Sequence, residues 1–203
     1  MDVAEYPTAE ASACARRTRA LGVGVQGLAD VFMLLNLPFT SMGARELNVS
    51  IFETIYYAAL DASCTLSEMS GPYPAWEGSP ASQGVLQLDM WVGSPSTRHD
   101  FAALRARIAR FGLRNSVVTA LMPTATTSKL LGNFESFEPY TRYVRLPSLI
   151  ISLTLCVTSN AIVMRTGSGD YPLICPHLVR ALSARGLWTE DVRAYLQRSR
   201  GTC

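Results

Sequence analysis

From Ala44 to Met69, apolar side chains return at three- and four-residue steps: Leu47, Ile51, Phe52, Ile55, Tyr56, Ala59, Leu60 and Cys64. That period is the mark of an amphipathic helix with one buried face. Ser41 is placed to cap its start, and Gly71 lies just past its end. A helix this long fixes where the core must form.

Composition agrees with a packed interior. The chain has 203 residues, 48% of them hydrophobic and 17% charged, which excludes intrinsic disorder. Its 14 glycines and 11 prolines are near average, so collagen-like and low-complexity classes drop out. The formal net charge of +2 leaves no electrostatic footprint for nucleic acid or an anionic membrane. Lys129 is the sole lysine among 18 basic residues; the arginines are scattered, as codon bias in a GC-rich gene would leave them.

The five cysteines (Cys14, Cys64, Cys156, Cys175 and Cys203) lie far apart, so C-x-x-C redox motifs and zinc knuckles are absent and no metal site is expected. Their odd number and the polar, acidic start Met1-Asp-Val-Ala-Glu, unlike a secretory leader, point to a reducing compartment. The apolar run from Leu146 to Val157 is broken by Pro147, Ser148, Ser152 and Thr154. At about 12 residues it is too short for a bilayer, which needs about 20.

Other segments punctuate clearly. Residues 1–20 read as an irregular lead-in with a basic stretch at Arg16-Arg17-Thr18-Arg19. Gly27–Leu37 reads as a short helix closed by Pro38. Gly71–Val85 is a loop by its turn residues. Asp100–Phe111 is amphipathic, with Phe101, Leu104, Ile108 and Phe111 on one face. Ser116–Leu121 reads as a buried strand, followed by a hydroxyl-rich turn and a helix start; Pro176–Arg185 and Thr189–Gln197 read as two final helices around Gly186. Helices separated by short strands predict an α/β class.

Two motifs compete for a phosphate. Gly22-Val-Gly24-Val-Gln-Gly27 matches G-x-G-x-x-G, but that motif needs a strand before it, and Ala15-Arg-Arg-Thr-Arg-Ala-Leu is too basic for one. The alternative is a glycine-permitted close approach of this segment to its packing partners. Met122-Pro-Thr-Ala-Thr-Thr-Ser128 is a better candidate. Hydroxyl residues at a helix start offer free amides, side-chain donors and the positive end of a helix dipole, with Lys129 able to add charge. The same residues are also ordinary helix caps. His99 and His177 read as surface or helix-end histidines, Cys203 as a bystander, and Glu135 with Glu138 as a solvated or packed loop rather than a catalytic pair.

Taken together, the segments resemble one family, the large catalytic subunit of class I ribonucleotide reductase of the eukaryotic type. The resemblance is carried by Gly22-Val-Gly-Val-Gln-Gly-Leu-Ala-Asp-Val-Phe, Ala44-Arg-Glu-Leu-Asn, Ile51-Phe-Glu-Thr-Ile-Tyr-Tyr-Ala-Ala-Leu-Asp-Ala-Ser-Cys, Gly71-Pro-Tyr, Glu77-Gly-Ser-Pro-Ala-Ser, Gly112-Leu-Arg-Asn-Ser, Met122-Pro-Thr-Ala-Thr-Thr and Leu131-Gly-Asn-Phe-Glu-Ser-Phe-Glu-Pro-Tyr-Thr, in the family's order and spacing. It covers nearly the whole chain except about residues 142–158.

The resemblance implies a fragment of a ten-stranded α/β barrel, helix-rich with short strands, occupying residues 1–203. It implies reduction of ribonucleoside diphosphates to deoxyribonucleoside diphosphates for DNA synthesis, in a cytoplasmic enzyme under nucleotide (ATP) allosteric control. Thr124, Ala125, Thr126, Thr127 and Ser128 fall on the substrate-diphosphate loop. Ser128 and Lys129 depart from the family's pattern there. The family takes its radical from a metal-containing small subunit and its electrons from thioredoxin or glutaredoxin, and its large subunit is a homodimer; no cofactor is expected in this chain.

The radical cysteine of the family lies on an Asn-x-Cys-x-Glu loop, and this sequence has no such triplet, so no catalytic residue is expected here. Residues 142–158 interrupt the family's run from Glu-Pro-Tyr-Thr141 into Ser159-Asn160 and read as an insertion, a retained short intron. Two other classes stay open: a truncated, non-catalytic chain that keeps subunit-interaction or phosphate-binding capacity, and an independent α/β phosphate-binding module or enzyme.

Overall fold

The computed structural model describes residues 1–90, 98–139, 161–166 and 169–198. The chain divides into two compact units: Met1–Gly24 with Asn48–Met122, and Val25–Leu47 with Pro123–Cys203.

The first unit begins with α1 (Ala9–Thr18), where an irregular lead-in was expected. Thr8 caps it by accepting from the Ala11 amide, Glu10 lies in its first turn, and Arg16 and Arg17 in its last. The basic stretch that suggested irregular chain therefore complements the negative end of the helix.

The long stripe forms the helix Met42–Ser70, here α3; α2 is Leu28–Leu34. Ser41 Oγ accepts from the Ala44 amide at 3.1 Å, as the sequence predicts for a cap. Gly71 ends the helix at φ +74, where its amide donates to the Ser67 carbonyl. The α4 helix (Phe101–Phe111) is capped by Asp100, which accepts from Ala103 at 2.9 Å. Leu60 and Cys64 of α3 close on Phe101, Leu104 and Ile108 of α4, with Leu86, Leu113 and Val118 completing the core. Buried Asn115 ties the unit together. Its amide donates to Ser63 Oγ, Ser63 donates back to Asn115 Oδ1, and Asn115 Nδ2 reaches the Arg19 carbonyl.

Ser116–Leu121 is not the buried strand expected. It makes one parallel bridge, Val23 to Thr119, and while Val118 is buried, Val117 and Leu121 are 49% and 48% exposed. A strand becomes a ladder only where neighbours satisfy its backbone. Among the described residues its backbone bonds are few and run to the stretch 18–23: Ser116 amide to Thr18 carbonyl, Leu21 amide to Val117 carbonyl, Val23 amide to Val118 carbonyl and Ala120 amide to Val23 carbonyl. The described fold is helix-rich with little strand, which bears out the helix-rich part of the expected architecture.

In the second unit, α2 precedes α5 (Thr127–Leu131), the antiparallel pair β1 (Ala161–Thr166) and β2 (Gly169–Ile174), α6 (Pro176–Ser183) and α7 (Glu190–Arg198). The hairpin register runs from Ala161 opposite Ile174 to Thr166 opposite Gly169. Pro176 opens α6 where a missing amide costs nothing, and Thr189 Oγ1 caps α7 at the Val192 amide. The core is Ala29 and Met33 of α2, Phe134, Cys175, Leu178 and Leu182 of α6, and Leu196 of α7. The insertion at 142–158 lies wholly outside the described residues.

Candidate functional site

The hydroxyl-rich turn lies wholly in the second unit. Thr124 holds a left-handed backbone, φ +52, a conformation that costs a residue with a Cβ about 1–2 kcal/mol. Its own groups maintain it. The Thr124 carbonyl accepts from the Ser128 amide at 2.9 Å, and its Oγ1 accepts from the Ser136 amide at 2.8 Å. Ser136 is itself left-handed, φ +48, so two strained residues brace each other.

Ala125, Thr126 and Thr127 form the outer edge of the turn, and all three are exposed. Their amides donate to no acceptor among the described residues, as the geometry of a helix start dictates. α5 has only five residues, so the concentration of amides outweighs any macrodipole. Thr127 Oγ1 donates to Gln26 Oε1 at 2.9 Å, and Gln26 Nε2 donates to Asn133 Oδ1 at 3.3 Å.

Ser128 faces the other way. It is fully buried, its amide is spent on Thr124, its carbonyl accepts from Asn133 at 3.0 Å, and its hydroxyl has no partner among the described residues. The Ser136 hydroxyl is likewise buried and unpartnered. Lys129 does not point a free charge at the turn. Its Nζ lies 3.3 Å from Glu135 Oε1, which also accounts for Glu135.

Gly27 and Asp30 also bond to the segment that follows the turn, and His177 bonds to Asp30. Gly27 donates its amide to the Phe134 carbonyl at 3.0 Å and stands at φ +76, where a Cβ would press on the Asn133 side chain. Asp30 Oδ2 accepts from the Phe134 amide at 2.7 Å, and Asp30 Oδ1 lies 2.7 Å from His177 Nε2. The His177 ring also stacks on Phe134, 6.4 Å between centroids at 15°. His177 is at a helix end, as its sequence context indicates, but it is partnered. No role of its own is legible for Asp30 in the sequence; it stands in α2, four residues beyond Gln26, within a segment that carries the family resemblance.

The glycine motif lacks the preceding strand that a dinucleotide site needs. A helix and an irregular stretch precede it, and its glycines serve close packing: a Cβ on Gly24 would come within 2.4 Å of the Ala120 carbonyl oxygen, and one on Gly22 within 3.0 Å of the Ala120 Cβ. Among the described residues no three His, Cys, Asp or Glu side chains gather as metal ligands, and no helix is long and apolar enough to cross a membrane.

This fold belongs to a known class. The family model for the ribonucleotide reductase barrel domain matches residues 1–150, and the chain belongs to that family. It is 48% identical over 202 residues to the ribonucleoside-diphosphate reductase large subunit of Caenorhabditis elegans, covering 100% of this chain and 24% of that one. It is 47% identical to the large chain of Schizosaccharomyces pombe over 95% of this chain and 22% of that one, and 46% identical to the Danio rerio large subunit over the same shares. Among solved structures, the class Id ribonucleotide reductase alpha subunit of Actinobacillus ureae superposes with a TM-score of 0.58 over 94% of this chain and 26% of that one; at 23% identity this is a likeness of fold. The chain spans about a quarter of the length of the relatives it matches.

Proposed function

We propose that this chain is a segment of a ribonucleoside-diphosphate reductase large subunit whose turn Thr124–Ser128 holds the diphosphate of a ribonucleoside diphosphate. The observation that carries the reading is the row of three exposed, undonated amides at Ala125, Thr126 and Thr127, on the stretch that resembles the family's substrate-diphosphate loop. Consecutive amides facing solvent suit phosphate oxygens. Thr124 and Ser128 act beneath them: one fixes the bend, the other locks it to Asn133. Holding the diphosphate there would orient the ribose for chemistry performed by other residues.

On this reading the segment descends from a ten-stranded barrel, and Ser116–Leu121 is one of its strands with few of its neighbours described. The radical would come from a metal-containing small subunit and the electrons from thioredoxin or glutaredoxin. A second copy of the large subunit and a cytoplasmic location follow from the same resemblance. Titration calorimetry with ADP tests the loop. Thr126→Ala keeps the amide and is expected to bind within a fewfold of the parent. Thr126→Pro removes the amide and is expected to lose tenfold or more, since a hydrogen bond to a charged group is worth about 1.5–3 kcal/mol. Equal affinity in all three proteins would refute the reading.

One observation favours the narrower alternative of a chain that binds but does not catalyse: the sequence has no Asn-x-Cys-x-Glu triplet. The purified chain, supplied with small subunit and thioredoxin, is then expected to yield no deoxynucleoside diphosphate, and measurable product would contradict it.

A further inference from the structure

Asp30 joins three segments of the second unit. One carboxylate oxygen accepts from the Phe134 amide and the other faces His177 Nε2, each at 2.7 Å. An ionised carboxylate only accepts, so the ring nitrogen donates. Both side chains are largely withdrawn from water, at 14% and 12% exposure. Such a pair is held in one geometry, and a lost partner leaves a polar group stranded.

From Phe134 the bonds run straight to the turn. Asn133, one residue before, donates to the Ser128 carbonyl and holds Gln26, which in turn receives the Thr127 hydroxyl. Ser136, two residues after, donates to Thr124 Oγ1. Thr124 is left-handed and has a Cβ, so it stays in place only while its surroundings over-determine it. The strap Asn133–Ser136 supplies that restraint, and its own anchor is Asp30.

We infer that Asp30 and His177 are positioning residues for the Thr124–Ser128 turn, acting through the Asn133–Ser136 strap. Neither touches the exposed amides. The inference rests on the reading of that turn as the diphosphate site, and it explains why a histidine 147 positions from Asp30 is bonded to it. Without the pair, the strap loosens, the Ser136–Thr124 bond opens more often, and the three amides lose their common direction.

The test is run on the full chain with inorganic pyrophosphate as probe, alongside hydrogen exchange resolved to the amides of Ser128 and Ser136. His177→Ala is expected to speed exchange at both amides and weaken pyrophosphate binding, each about tenfold. His177→Gln returns a donor to Asp30 and is expected to recover both to within about twofold. Leu182→Ala, a truncation of the core that also seats Phe134, gauges general destabilisation and is expected to speed exchange and weaken binding less than His177→Ala does. Asp30→Ala is expected to match His177→Ala; should it fail to fold, the His177 pair of variants decides alone. Unchanged exchange in His177→Ala, no recovery in His177→Gln, or an equal effect from Leu182→Ala would overturn the inference. A parent chain that binds no pyrophosphate but shows the expected exchange pattern would overturn the diphosphate reading and uphold the positioning pair. Pyrophosphate binding that is indifferent to His177→Ala would do the reverse.

Discussion

Gly24 lies against the Ala120 carbonyl so closely that a Cβ on it would stand 2.4 Å from the oxygen. The bridge between Val23 and Thr119 passes beside this contact, with the Ala120 amide donating to the Val23 carbonyl. Gly24→Ala must therefore push the two segments apart. The expected cost is about 1–3 kcal/mol, the range for overpacking a close contact. Gly22→Ala is expected to cost less, because it meets a side-chain methyl at 3.0 Å rather than backbone. Denaturant melts of the two variants check the order; equal stability would contradict the packing role of the motif.

The N-terminus is fastened by charge. Arg19 donates to both oxygens of Asp2, at 2.7 and 2.8 Å, and that hydrogen bonding holds the Asp2 carboxyl at about 2, below its ordinary 3.8. A carboxylate depressed in the folded state gives stability that is present above its unfolded value and lost as pH falls through the folded one. The attachment is thus complete above pH 4 and disappears between about 4 and 2. Asp2 is exposed, so the effect is local fraying rather than unfolding. A carboxyl carbon titration should report the low midpoint, and Asp2→Asn should abolish the pH dependence of the protection factors, with intrinsic exchange divided out, in residues 1–6. A midpoint near 4 would contradict the pairing.

Thiol reactivity should follow burial. Cys14 is exposed on α1, whereas Cys64 and Cys175 are completely buried, and burial raises both of their thiols above the ordinary range. Only the thiolate reacts. Brief iodoacetamide treatment followed by peptide mapping should label Cys14 at least tenfold faster than either buried cysteine, with the difference vanishing in denaturant. Comparable native labelling would mean that one of the two cores is open.

On the resemblance of their flanks to the family, we read residues 142–158 as an insertion. If they are a retained intron, transcripts from the source should join the codon of Thr141 directly to that of Ser159. Transcripts carrying all the intervening codons would contradict this.

Much of the architecture was legible because it depends on neighbours in sequence. The period of α3, its Ser41 cap, the apolar face of α4, and Pro176 and Gly186 around α6 each obey rules that act over one or two turns. The turn at Thr124–Thr127 was legible for the same reason. The basic stretch at Arg16–Arg19 misled, since its charge reads as surface chain until Thr8 is seen capping a helix. Ser116–Leu121 misled in the opposite sense: its β-branched residues suit a strand, but a strand also needs partners that its own residues do not specify. The Asp30–His177 pair was invisible, because nothing within either segment announces a partner so distant along the chain.

The central claim is that the amides of Ala125, Thr126 and Thr127 hold the diphosphate. Its most direct test is a nitrogen–proton correlation spectrum of the labelled chain titrated with ADP. The account predicts saturable downfield shifts concentrated on those three amides and lost on Thr126→Pro. Shifts confined to other residues, or none at ADP concentrations that saturate a full-length reductase, would contradict it.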